Sequence, residues 1–245
     1  MPITIGSGIT IGSGIKFNDA EAPPANSSIG IYTLTSGTKL PVLGVGGQSP
    51  FPANGWTSLV ASSGDDAFIT VALGFTWIYN SVNYTSFFPN SNYYITFGSG
   101  STQFNALANN SPSINKIFFA GTDNSWQRVS RISSGTDYLR LRWEGTAGTS
   151  GTAGNPNMVY ELTFFNPVNT ANVPVFELLI GRQARGNSSA GIISGLYSNT
   201  ALLTGGTLGP SNRGVSANQS YVAVGNATGT SWTIYTGHYL AGTGY

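Results

Sequence analysis

The sequence predicts an all-β protein: an antiparallel β-sandwich, jelly-roll or nidogen-like, preceded by an extended N-terminal strand arm. Three observations predict it. From about residue 68 onward, runs of β-branched and aromatic residues alternate with clusters of Gly, Asn, Ser and Pro, the pattern of strands joined by turns. No segment carries apolar residues at helical spacing, and no capping box leads an apolar run. The start of the chain writes one unit twice, Ile-Thr-Ile-Gly-Ser-Gly, and places Ile3, Ile5, Ile9, Ile11 and Ile15 on odd positions. In an extended chain, odd positions share one face. Such a strand is not stable alone, so the arm needs a partner surface, either its own domain or another copy.

The elements follow in order. Residues 1–15 are the assembly arm. Residues 16–64 read as linker and loop-rich segment, with Pro23, Pro24, Asn26, Gly44, Gly46, Gly47, Pro50 and Pro52 punctuating short apolar patches. Residues 65–245 form the sandwich body. Strands are expected over 68–73, 75–79, 93–97 and 117–120. Residues 138–144 alternate cleanly: Leu139, Leu141 and Trp143 face one side, and Tyr138, Arg140, Arg142 and Glu144 the other. The Gly/Thr/Ala tract 145–154 reads as a hairpin tip. The strand pattern resumes over 158–165 with Glu161 inside it, and over 173–180 with Glu177 inside it. Pro174 suits the start of an edge strand. Later strands are expected over 192–197, 221–224 and 232–240.

Composition narrows the function. Of 245 residues only 8% are charged, against roughly 25% in ordinary soluble domains, so Ser, Thr, Asn and Gly carry the surface. The net charge is +1 with scattered basic residues, which excludes the electrostatic footprint of a nucleic-acid binder. There are no cysteines, so disulfides and thiolate chemistry are excluded. No run of about eighteen apolar residues is present, so no membrane insertion by a helix is expected. Met1-Pro2 leads into the repeat without a basic or apolar leader region, so no signal peptide is expected. A surface that looks exported, without an export signal, fits a particle assembled in the cytoplasm.

Candidate chemistry is sparse. His238 is the single histidine, and no Gly-x-Ser-x-Gly elbow accompanies it, so a surface or interface imidazole is expected over a triad. Glu144, Glu161 and Glu177 invite comparison with the paired carboxylates of glycosidases. Arg140 and Arg142, opposite Glu161 or Glu177, favour cross-strand ion pairs of roughly 0.2–1 kcal/mol each. Neighbouring arginines should also hold the carboxyl pKa values down, which is wrong for a general acid. Asp65-Asp66 and Asp123-Asn124 lack calcium-loop spacing and read as turn residues, so neither a metal nor a cofactor is expected. Among the tryptophans, Trp77 and Trp143 are expected in the core. Trp126, beside Asn124, Ser125 and Gln127, is the candidate for an exposed glycan or partner contact.

Two resemblances add to this reading. Residues 73–79, Leu-Gly-Phe-Thr-Trp-Ile-Tyr, followed by Tyr84-Thr85-Ser86-Phe87-Phe88 and by 92–98, Asn-Tyr-Tyr-Ile-Thr-Phe-Gly, look like the signature of nidogen-type extracellular β domains. The later strands over 138–144, 158–165 and 176–181 resemble the second half of the same domain, so the likeness spans roughly 65–205. It departs at Ser91-Asn92-Tyr93, where the family carries Ser-Asn-Gly. The doubled repeat is similar to the N-termini of structural proteins of tailed phages, marine cyanophages especially. That likeness implies a location in the virion, exposed on the particle and assembled in the host cytoplasm. The expected partners are other virion proteins and copies of the chain itself, as a tail or fibre component or a capsid decoration protein. A carbohydrate-binding adhesin that recognises a host-surface glycan is the alternative.

Overall fold

Strands form where the β-branched and aromatic runs stand, and turns where Gly, Asn and Pro interrupt them. The structure is a computed structural model, and it describes residues 3–5, 9–11, 31–32, 56–60, 64–103, 114–121, 124–133, 136–147, 158–183, 193–198, 201–208, 219–236 and 238–239. The strands ahead of the main body are β1 (Ile3–Ile5), β2 (Ile9–Ile11) and β3 (Ile31–Tyr32). There follow β4 (Thr57–Val60), β5 (Gly64–Asp65), β6 (Val71–Tyr79), β7 (Val82–Pro89), β8 (Tyr94–Phe97) and β9 (Asn115–Gly121). The middle of the chain gives β10 (Asn124–Ser133), β11 (Tyr138–Ala147), β12 (Met158–Phe165) and β13 (Val175–Gln183). The last are β14 (Ile193–Ser198), β15 (Ala201–Leu202), β16 (Gln219–Gly225), β17 (Trp232–Thr236) and β18 (His238–Tyr239). Among the described residues the one helical turn is a 3-10 turn at Pro167–Asn169, capped by the Asn166 side chain.

Two antiparallel sheets pack face to face, as the all-β sandwich expectation requires. The larger runs β17-β16-β13-β12-β11-β10-β4, with β5 also paired to β10; the smaller runs β15-β14-β9-β8-β7-β6. The sheet therefore reaches back to Thr57, ahead of the boundary expected at 65, and β11 extends through Gly145 into the tract read as a hairpin tip. Between the sheets lies one aromatic-rich core. Leu139, Leu141 and Trp143 share it with Tyr160, Leu162, Phe164, Phe176 and Leu178 from the large sheet. Trp77, Tyr79, Phe87, Ile95, Phe97, Ile117 and Phe119 enter from the small one. The inward set of β11 is the set its alternation predicted.

Backbone hydrogen bonds stitch the sheets together along one side. Asn80 and Ser81 form the two-residue β6–β7 turn with φ of 50° and 63°, the primed geometry that matches strand twist. Their N–H groups donate to the Gly229 and Thr228 carbonyls at 3.0 and 2.7 Å. Nearby, Trp232 N–H donates to the Thr204 carbonyl at 2.8 Å. Gly205 follows at φ +69°, and a Cβ there would fall on the Trp232 carbonyl. Gly205→Ala should therefore lose at least about 1–2 kcal/mol from the left-handed backbone alone, before any displacement of β17. Urea unfolding would read that loss, and an unchanged midpoint would show that this joint is not strained.

The small sheet's long edge, β6, is blunted. Between the pairs Ala72↔Ser86 and Trp77↔Tyr84, four residues of β6 face one of β7, and Gly74 turns through φ +86°. Such a bulge twists an edge away from edge-to-edge pairing.

Candidate functional site

The polar face of the large sheet collects the charges that the sequence singled out. Register places Arg142 opposite Glu161, and Arg140 opposite Thr163, which in turn stands opposite Glu177. Arg142 Nη1 lies 3.4 Å from Glu161 Oε1, and its Nη2 lies 2.8 Å from Glu144 Oε1. Arg140 donates from Nε to Thr163 Oγ1 at 2.9 Å, and its Nη1 stands 3.8 Å from Glu161 Oε2. Arg128 closes the row at 3.6 Å from Glu144 Oε2. Two small apolar clusters flank these charges on the same face: Phe165, Val175 and Val222 at one end, Val159 and Leu179 at the other.

Three arginines and three glutamates thus meet across four strands. The expected pairing of Arg140 and Arg142 with Glu161 is present. Glu177 lies close enough to Glu161 to disfavour its charge.

Two corrections follow from burial. The pairs are not surface pairs: Glu161 and Glu177 are 0% exposed, and Arg142 is 4% exposed. Removing such charges from water costs several kcal/mol per ion, which only good geometry offsets. For Glu161 that geometry is incomplete, because Oε2 is too far from Arg140 for a hydrogen bond and has no other hydrogen-bond partner. Its pKa is accordingly raised, the reverse of the sequence expectation. Burial is the largest cause, and it outweighs the lowering influence of Arg140 and Arg142. Two carboxylates shut from solvent cannot flank a polysaccharide; the cluster holds strands in register.

Trp126 corrects a second expectation. It is 3% exposed and belongs to the central core. The cause is a bulge in β10: Trp126 pairs with Gly145 and Arg128 with Glu144, so two steps along β10 match one along β11. Simple alternation would put Trp126 on the outward face with Arg128. The extra residue shifts the phase by one and turns the indole inward. Glycines on both neighbouring strands, Gly64 and Gly145, leave it room.

The remaining candidates are structural. Asp66 Oδ1 accepts from Asn92 Nδ2 at 2.9 Å, and Asn92 Oδ1 accepts from Asn124 N–H at 2.8 Å, which joins the β7–β8 turn to the start of β10. Asp123 lies outside the described residues. Among the described residues no group of three or more metal-ligating side chains converges. His238 pairs through its backbone with Tyr32 in the two-stranded β18–β3 sheet.

The arm is no single extended strand. β1 and β2 pair antiparallel, with Ile3↔Ile11, Thr4↔Thr10 and Ile5↔Ile9 opposite each other. The Gly6-Ser7-Gly8 segment of the repeat connects them. Ile15 lies outside the described residues.

Sequence reasoning missed Tyr93 and Lys116. Tyr93 holds φ +55°, a left-handed backbone at the position where the nidogen-type pattern carries glycine. Its ring sits 5.1 Å from that of Tyr160, and the hydroxyls of both are buried without hydrogen-bond partners. A bulky residue at positive φ is uncommon, and its core contacts hold it there. Lys116 stands on the outward face of the small sheet in register with Thr96 and Tyr197, and burial lowers its pKa.

The fold and this buried charge layer define an all-β antiparallel sandwich with paired charges buried across its larger sheet. Comparison with known protein families, with curated proteins and with solved structures finds no match to this chain. No helix among the described residues is long and apolar enough to cross a membrane.

Proposed function

We propose that this protein is a structural component of a phage virion, without catalytic activity, anchored to neighbouring subunits through its N-terminal arm. The observation that carries the reading is the arm itself. Its two copies of one unit pair with each other and, among the described residues, with no other strand. A two-stranded ribbon is at best marginally stable in water, so it is an element that needs a surface to complete it. The 8% charge content supports the same reading, because a surface so poor in charge suits a protein packed among neighbours. So does the buried state of Glu161 and Glu177, which leaves both carboxylates out of reach of a glycan. A tail or fibre module and a capsid decoration protein are the two roles within this proposal. Glycan recognition loses its expected contact with the burial of Trp126.

Deleting residues 2–15 should leave a folded body that no longer enters particles. Every tryptophan lies at position 56 or beyond, so an unchanged emission spectrum certifies the body. Electron microscopy and protein quantification of purified particles then read occupancy. Normal occupancy of the truncated chain would refute the anchoring role.

A further inference from the structure

The face of the larger sheet that points away from the small one is shut from solvent. Directly opposed residues share a face, so Ser130, Arg142, Glu161 and Leu179 form one row across β10, β11, β12 and β13. All four are buried, as are Glu177 and Val222 beside them. Among the described residues, no strand from outside the sheet packs across this face. The burial arises within a single chain, so the occupant belongs to the same chain. We propose that residues 33–56, the connection from β3 to β4, cross this face from the β17 edge to the β4 edge and bring Lys39 to its buried carboxylates, whether or not the protein enters a virion.

Topology singles out this connection. β18 follows β17 after one residue, Gly237, and pairs with β3, so β3 lies at the β17 edge, whereas β4 closes the opposite edge. The other connections between described strands join neighbours or pass to a different sheet. This one must travel the width of the sheet, and the small sheet already fills the inner face. From β17 to β4 there are six strand spacings, roughly 29 Å. Extended chain over 33–56 reaches up to about 80 Å, which leaves ample slack.

Charge points the same way. Among the described residues, this face buries Arg140 and Arg142 against Glu144, Glu161 and Glu177, an excess of one carboxylate, while Arg128 stands part-exposed at the rim. Residues 33–56 carry one cation, Lys39, and no acidic residue. The stretch 16–30 carries Asp19 and Glu21, which would add buried anions to the excess. From Tyr32, extended chain brings position 39 up to about 23 Å away, and β13 with Glu177 lies only two spacings, roughly 10 Å, inside β17.

Trace acetylation of the folded wild-type chain with a water-soluble amine reagent, read by mass spectrometry, tests this. Lys39 should label roughly tenfold more slowly than Lys16, and the two should label alike in urea. Disulfide trapping then locates the segment. The chain has no cysteine of its own, so any disulfide is the engineered one. Leu179→Cys combined in turn with Val42→Cys, Val45→Cys or Gly47→Cys should close at one position at least, with unchanged tryptophan emission. Leu179→Cys with Thr85→Cys, at an exposed position of the small sheet, should stay open. Equal labelling of Lys39 and Lys16 in the folded chain overturns the proposal. So does a protected Lys39 with no disulfide at the scanned positions, or a disulfide that Leu179→Cys forms only with positions 16–30. The labelling needs no variant, so it decides even where a cysteine variant does not fold.

Discussion

Trp77→Ala should lower the stability of the body by about 3–5 kcal/mol, the upper range for truncating a buried aromatic. Trp77 is fully buried at the centre of the inter-sheet core. Its ring meets Phe164 edge-on at 4.8 Å, Phe97 at 5.6 Å, Trp232 at 5.9 Å, Tyr79 at 6.0 Å and Phe176 at 6.4 Å. Phe164, Phe176 and Trp232 come from the large sheet, Tyr79 and Phe97 from the small one. The indole is therefore a central contact between the two layers, beside pairs such as Phe87–Phe164 and Phe119–Trp143, and alanine would leave a cavity lined by rigid rings that cannot close over it. Urea unfolding followed by far-UV circular dichroism reads the change independently of the lost fluorophore. Tyr235→Ala, at a 41% exposed position of β17, is the control and should stay within about 0.5 kcal/mol. A Trp77→Ala loss no larger than that of the control would show that the sheets are held elsewhere.

The architecture was legible because a β-strand writes its two faces into alternate residues. Residues 138–144 gave both faces of β11 directly, and opposite charges on successive strands suggested Arg140 and Arg142 opposite Glu161 or Glu177; the register selects Glu161 for Arg142. Trp77 and Trp143 were legible as core for the same reason. What stayed hidden depended on breaks in the alternation. The β10 bulge between Trp126 and Arg128 reverses the facing of Trp126, and nothing in Asn-Ser-Trp-Gln announces an inserted residue. The arm shows the same limit in another form. Five isoleucines in odd positions are consistent with one extended strand or with a hairpin, because a connection of odd length preserves the parity; the pairing Ile5↔Ile9 decides for the hairpin.

Burial of polar faces was equally invisible. An outward strand position reads as solvent from the sequence, yet β12 is buried at every residue on both faces. That one difference converts the Arg–Glu pairs from exposed register markers into desolvated ions, and it reverses the direction of the Glu161 pKa. Tyr93 shows what a local pattern leaves unsaid. A tyrosine at a glycine-like turn reads as a departure from the resembled family, whereas the backbone keeps the left-handed conformation and turns the ring into the core.

Arg142→Met should be the most damaging change on the polar face, with a loss of about 3–5 kcal/mol near neutral pH. It removes the cation that stands 2.8 Å from Glu144 and 3.4 Å from Glu161, and it leaves a fully buried carboxylate with only the more distant Arg140. The pH dependence has a definite sign. Burial already holds the folded-state pKa of Glu161 above its ordinary 4.5. Stability linked to this group is thus fully present below 4.5 and is lost as pH rises through the folded-state value. Without Arg142, both its charge and its hydrogen bond cease to lower the value, the folded-state value climbs further, and the window of loss extends upward. The deficit of the variant relative to wild type should therefore be greatest near neutrality and shrink as pH falls towards 4.5. Adding Glu161→Gln to Arg142→Met removes the stranded charge, so the double variant should recover part of the loss at neutral pH and lose that pH dependence. A deficit that grows on acidification would mean that the arginines, and not burial, dominate the titration of Glu161. A double variant no more stable than Arg142→Met would assign the loss to the Arg142–Glu144 pair.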